Sequence, residues 1–199
     1  MSKAEAQNEA IERAVEKLRE VNLSARCALL NLPQPENGIL KFRAFAINFE
    51  LNTETFELFK KRSGDPAKDS DRILILHLLL CEQPLRPSDE LVSFRDFPGG
   101  MFYLKPFYSR TAVPLAERYG NNLEKLKETL SYLDYEEVDL GDFAARVHCI
   151  GCLYLTIIYR LGDDEFPAEM ELLFNVPTKR VFCAEDAVVM AERVCFRLF

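Results

Sequence analysis

Tryptophan is absent and histidine occurs only twice in the 199 residues. The first absence excludes no class of protein; the second leaves little choice of acid–base side chains. No stretch gathers Lys and Arg beyond Lys60-Lys61-Arg62, and the net charge is −7 with a pI near 5.1. Binding a phosphate backbone needs clustered cations, so nucleic acid is a poor partner, and this tripeptide reads as a solvated strand end. The most apolar stretches, Ile73 to Cys81 and Leu153 to Tyr159, fall far short of the roughly 20 residues a membrane helix needs. The amino terminus is charged and lacks the apolar run of a secretory signal, so the chain is expected in the cytoplasm, where its six cysteines stay reduced. There is no P-loop, dinucleotide-binding glycine motif, Ser-His-Asp arrangement, EF-hand spacing or internal repeat.

What is present is globular. Hydrophobic residues make up 48% and charged residues 29%, which argues against disorder. A chain of this size buries roughly 70% of its unfolded surface, and residues 1–199 read as a single domain.

Ala10, Ile11, Ala14, Val15 and Leu18 form a helical stripe, so residues 1–22 hold an amphipathic first helix. Asn22 and Ser24 break it, and Pro33, Pro35, Asn37 and Gly38 mark a loop. Alternation from Leu40 to Phe59 predicts a β-hairpin with its turn near Asn52. Ser70 or Asp71 is placed to cap a helix from Arg72 to Cys81. Beyond it, Met101 to Lys105 reads as extended, Ser109 to Tyr119 as a helix ended by Gly120, and Leu123 to Leu133 as another. Ala144 to Leu161 is rich in β-formers, and Gly162-Asp163-Asp164 supplies a turn before Ala168 to Phe174, a second hairpin. Glu185 or Asp186 opens a closing helix through Arg197 that buries Val188, Val189, Ala191, Val194 and Cys195. The expectation is an α+β fold: an antiparallel sheet built from two or more hairpins, with helices packed on it.

The segment Leu91 to Phe107, LVSFRDFPGGMFYLKPF, concentrates the unusual requirements. Pro98 fixes its own φ while Gly99 and Gly100 tolerate positive φ, so Phe97-Pro98-Gly99-Gly100 reads as a tight, rigid turn. SFRDFPGGMFY, with Pro114-Leu115, Tyr119-Gly120, Val138 to Asp142, Leu161 to Pro167 and Ala184-Glu185-Asp186, resembles the bacterial and archaeal family labelled domain of unknown function 3786. The resemblance covers residues 40–199, with its specific part between Ile73 and Asp186. It implies no activity. Some members carry a cysteine-rich iron–sulfur module of a kind attached to corrinoid proteins in anaerobes; this sequence has none, so an iron–sulfur or corrinoid cofactor would enter through a partner.

Arg95, Asp96, Tyr103 and Lys105 surround the turn and are the candidate ligand-binding residues, a guanidinium and an ammonium suiting an anionic ligand. An Arg95–Asp96 link that merely braces the turn is the alternative. His148, Cys149 and Cys152 have metal-ligand residue types around a glycine, and His77 could join them or ligate a tetrapyrrole iron. As plain core residues, the cysteines would fill the sheet and His77 would bond to backbone. Asp163, Asp164 and Glu165, and Asp139 with Asp142, form acidic loops suited to calcium or acid–base chemistry, or simply to hairpin tips in water. The first functional reading is a non-catalytic binding or accessory module for a small ligand or a partner protein, to which the family resemblance adds a link to anaerobic cofactor metabolism. A metal- or tetrapyrrole-dependent redox protein is the alternative, and a structural subunit of an assembly the third.

Overall fold

Ile11, Ala14 and Leu18 are all buried, and their helical spacing places them on the packing face of the first helix, α1 (Lys3–Leu18). The computed structural model describes residues 3–199, with the chain divided into two units: 1–86 with 150–152, and 87–149 with 153–199.

In the first unit, α1 packs against α3 (Asp69–Leu80). Asn22, expected to end helical structure, instead starts a short second helix, α2 (Leu23–Leu29), by accepting a hydrogen bond from the Ala25 amide at 3.0 Å. That helix carries Arg26 to the end of α3, where its guanidinium donates to the carbonyls of Leu80 and Cys81. The α3 cap is Lys68, not Ser70 or Asp71; the helix begins earlier, and Asp71 is buried inside its first turn.

The alternation from residue 40 onward conceals an extra turn. Strands β1 (Ile39–Ala44) and β2 (Ile47–Asn52) pair antiparallel around Phe45-Ala46, both in the left-handed region at φ 50° and 58°. Glycine or asparagine normally takes those positions; here the full burial of Phe45 offsets the cost. The expected turn at Asn52 is also present, its side chain accepting from the Glu54 and Thr55 amides at 2.9 Å each, and it leads to β3 (Leu58–Lys60). Ile150 pairs with Ala44.

The second unit begins at the proline-flanked coil and runs through β4 (Leu91–Ser93), a 3₁₀ turn (Phe94–Asp96) and α4 (Gly100–Arg110). Met101 to Lys105 is therefore helical rather than extended. Gly99, at φ 79°, starts α4, and Phe107 of that helix is buried against Phe94, which anchors the helical register over the local β preference. Buried Thr111 separates α4 from α5 (Ala112–Tyr119), its hydroxyl donating to the Phe107 carbonyl at 2.7 Å. After α6 (Leu123–Leu130) come β5 (Tyr135–Val138), β6 (Phe143–Ile150), β7 (Leu153–Arg160) and β8 (Glu169–Asn175). The run 144–161 is thus two strands, broken by Gly151 at φ 58°. The β7–β8 hairpin matches the expected second hairpin. Two helices follow, α7 (Val176–Val181) and α8 (Ala184–Leu198); Ala187, Met190, Ala191, Val194 and Cys195 of α8 are buried, while Val188 and Val189 are only half-buried.

The fold class is α+β with an antiparallel sheet, as the sequence predicts: β1–β2, β2–β3, β4–β8, β5–β6 and β7–β8 all pair antiparallel. No helix among the described residues is long and apolar enough to cross a membrane.

Candidate functional site

The Phe-Pro-Gly-Gly motif builds a corner. Ser93 and Asp96 form a capping box, the Asp96 carboxylate accepting from the Ser93 amide at 2.7 Å and from its hydroxyl at 2.9 Å. These bonds, the backbone one foremost, hold the Asp96 carboxyl below the usual aspartate range. The brace of the turn is therefore Ser93–Asp96 rather than the expected Arg95–Asp96 link. Phe94 and Phe97 are buried, and Phe97 meets Phe174 of β8 edge-on at 5.1 Å. Gly100 packs so closely that a Cβ there would lie 2.1 Å from the Phe94 carbonyl oxygen.

Arg95, Tyr103 and Lys105 are exposed around this corner. Met101 and Phe102 beside them are exposed too, Phe102 by 88%.

His77 sits on α3, with buried leucines on both sides of it in sequence. His148, on β6, meets the Tyr154 ring edge-on at 5.6 Å, and its amide donates to the Asp134 carbonyl at 2.8 Å. Cys149 is fully buried at the end of β6, its thiol pushed up by desolvation. Cys152 is buried in the glycine turn, and burial raises its thiol as well. Among the described residues, no group of three or more His, Cys, Asp or Glu side chains is placed to hold a metal ion.

The acidic loops have backbone partners. Asp163 accepts from the Glu165 and Phe166 amides at 2.9 and 2.8 Å, which lowers its carboxyl from the ordinary value. Asp142 accepts from the Leu161 amide at 2.8 Å.

A groove of about 690 Å³ opens in the second unit, between α5 and the β7–β8 hairpin, and none of the candidate residues named from the sequence lines it. Its helical wall carries Ala112, Val113 and Ala116, and its other wall Ala168, Glu169 and Met170. The volume lies within the ordinary range for ligand pockets of roughly 300–1,000 Å³. Small side chains on α5 leave the space open. Both walls are fixed: Tyr159 donates its hydroxyl to the Gly120 carbonyl at the end of α5, while Asn121 exchanges hydrogen bonds of 2.7 and 3.0 Å with Gly162. Arg95, Asp96, Tyr103 and Lys105 thus lie outside the groove. Ala112 and Ala116, four apart on a helix, are the available sequence signal, but small residues at that spacing more often mark close packing.

Comparison with curated proteins and with solved structures finds no match. A family model described as Domain of unknown function (DUF3786) matches residues 22–197, from the cap of α2 almost to the end of α8. The matched region starts earlier than residue 40 and so includes Arg26, which closes the end of α3. The chain belongs to the DUF3786 family.

Proposed function

We propose that this chain is a non-catalytic binding module, and that its binding surface is the groove between α5 and the β7–β8 hairpin. The observation that carries this reading is an open space of about 690 Å³ with a mainly apolar lining, held between two elements tied together by side-chain hydrogen bonds. A preformed site of this kind binds at a reduced ordering cost. The Phe-Pro-Gly-Gly corner then serves to set α4, and through it α5, against β8. An iron–sulfur or corrinoid connection would reach the chain through whatever the module binds. A redox reading on His77, His148, Cys149 and Cys152 has less support, because among the described residues no group of three or more His, Cys, Asp or Glu side chains is placed to hold a metal ion.

The test is a titration of ¹⁵N-labelled protein with a mixed set of short peptides and small apolar fragments. Amide shifts confined to Ala112, Ala116, Ala168 and Met170, and abolished in Ala116→Phe, support the reading. Shifts around Arg95, Tyr103 and Lys105 would move the site to the corner, and a spectrum unmoved by the whole set would sink it.

A further inference from the structure

The groove has a sheet edge as one of its walls. Strand β4 pairs with β8 only at Leu173, Phe174 and Asn175, so Glu169 to Leu172 extend beyond its end. The Val176 amide donates to the Glu90 carbonyl at 3.0 Å, which fixes the alternation: even-numbered residues of β8 turn their N–H and C=O groups toward the β4 side. Beyond β4, the Met170 backbone is therefore directed away from β7 and into the groove, which Met170 and Ala168 line.

Strand geometry also sorts the side chains. Tyr159 stands opposite Met170 in register, and its hydroxyl reaches Gly120 of α5, so Met170 lies on the face that α5 covers. Glu169 and Glu171 lie on the opposite face with Arg160, which sits 3.3 Å from Glu171. Neither Glu169 nor Glu117 forms an ion pair among the described residues. Three glutamates and one arginine line the groove, so it carries an excess of negative charge.

Resting on the binding-module reading, we propose that the occupant is an extended, basic peptide segment of a partner protein that adds to β8 as a further strand. Its backbone pairs with Met170, its apolar side chains turn toward Ala112 and Ala116, and its Lys or Arg side chains alternate toward Glu169 and Glu171. Adding a strand to an open edge uses main-chain bonds for affinity and alternate side chains for choice of sequence. The length fits: the eight residues of α5, at about 1.5 Å each, run as far as roughly four extended residues at about 3.3 Å. Basic side chains also suit a chain whose net charge is −7.

The experiment uses the full chain and three fluorescent pentapeptides: Lys-Val-Arg-Val-Lys, the same sequence with Glu at every basic position, and the basic sequence N-methylated at alternate residues so that its edge donors are lost. The basic peptide is expected to bind with shifts at Met170 and Ala168, and to weaken as salt rises. N-methylation is expected to cost at least about tenfold, the loss of two net hydrogen bonds. The acidic peptide should not bind. Glu169→Lys, on an exposed position, should reduce affinity for the basic peptide while leaving the melting temperature unchanged.

Equal binding of the N-methylated peptide would overturn strand addition yet leave a groove that binds. Binding of small apolar fragments but of no peptide would do the same. Shifts at Met170 that grow with protein concentration alone would assign the edge to a second copy of this chain and overturn the peptide partner. Silence from every probe at the groove would remove both the inference and the reading beneath it.

Discussion

The rings of Phe94 and Phe107 stack 4.2 Å apart with their planes 11° from parallel. One stands just before the Phe-Pro-Gly-Gly turn and the other in the second half of α4, so this pair closes the corner that the turn opens. Phe174 of β8 packs 6.1 Å from Phe107, carrying the cluster onto the strand that also forms the groove edge. Phe107→Ala should therefore cost about 3–5 kcal/mol, the usual loss for a buried phenylalanine. Urea unfolding measures it, and a loss under about 1 kcal/mol would show that the stack does not anchor α4.

The two glycines of the turn should respond differently. Gly100→Ala places a methyl group 2.1 Å from the Phe94 carbonyl oxygen, a backbone atom that cannot swing away. We expect a loss of about 2–3 kcal/mol. Gly99→Ala meets no atom within 4 Å and strains only its φ of 79°, costing about 1 kcal/mol. The unfolding midpoints of the two variants decide this, and a reversed order would contradict the geometry.

Asp96 gives a pH dependence with a definite sign. Its folded carboxyl is held below the ordinary aspartate value of about 3.9 by the bonds from Ser93. A depressed folded value contributes stability that is present above the unfolded value and lost as pH falls through the folded one. Asp96→Asn should thus be less stable than the parent at pH 7 and converge toward it as pH falls below the ordinary aspartate value. Because the carboxylate is exposed, the difference is small. Paired urea titrations at pH 7 and pH 3 measure it, and a gap that widens in acid would reverse the assignment.

Thiol reactivity follows burial. Desolvation pushes the Cys195 thiol up to about 12 and the Cys183 thiol to about 11, with the Asp186 carboxylate 3.4 Å from Cys183 adding to the second. At pH 8, native protein should take up iodoacetamide slowly even at exposed Cys183, and Cys27, Cys149 and Cys195 should label only on unfolding. These raised folded values favour the folded state below the unfolded thiol value of about 8.5 and lose that contribution as pH rises through them. Mass spectrometry of the labelled chain reads the result; fast labelling of native Cys183 would count against it.

Periodicity and turn chemistry made much of the fold legible. The stripe of Ile11, Ala14 and Leu18, the Asn52 turn and the Asp163 turn all express local requirements that the chain states on its own. The misses share a different cause. Phe45-Ala46 turns with residues that carry no turn signal, because burial of Phe45 outweighs its backbone cost. Met101 to Lys105 has β-prone residues, yet the contact of Phe107 with Phe94 makes it helical. The groove was invisible for the same reason: it depends on where β4 stops pairing with β8, a tertiary register that neither strand encodes alone. Of the residues expected around the turn, Asp96 does brace it, but through Ser93 three positions before it and not through the neighbouring Arg95.

The most direct measurement is amide hydrogen exchange at Met170, followed by NMR with and without the basic pentapeptide. The groove account expects this amide, directed away from β7 past the end of β4, to become protected when the peptide binds, while amides around Arg95 and Tyr103 exchange as before. Unchanged exchange at Met170 under saturating peptide, or protection that appears only at the Phe-Pro-Gly-Gly corner, would contradict it.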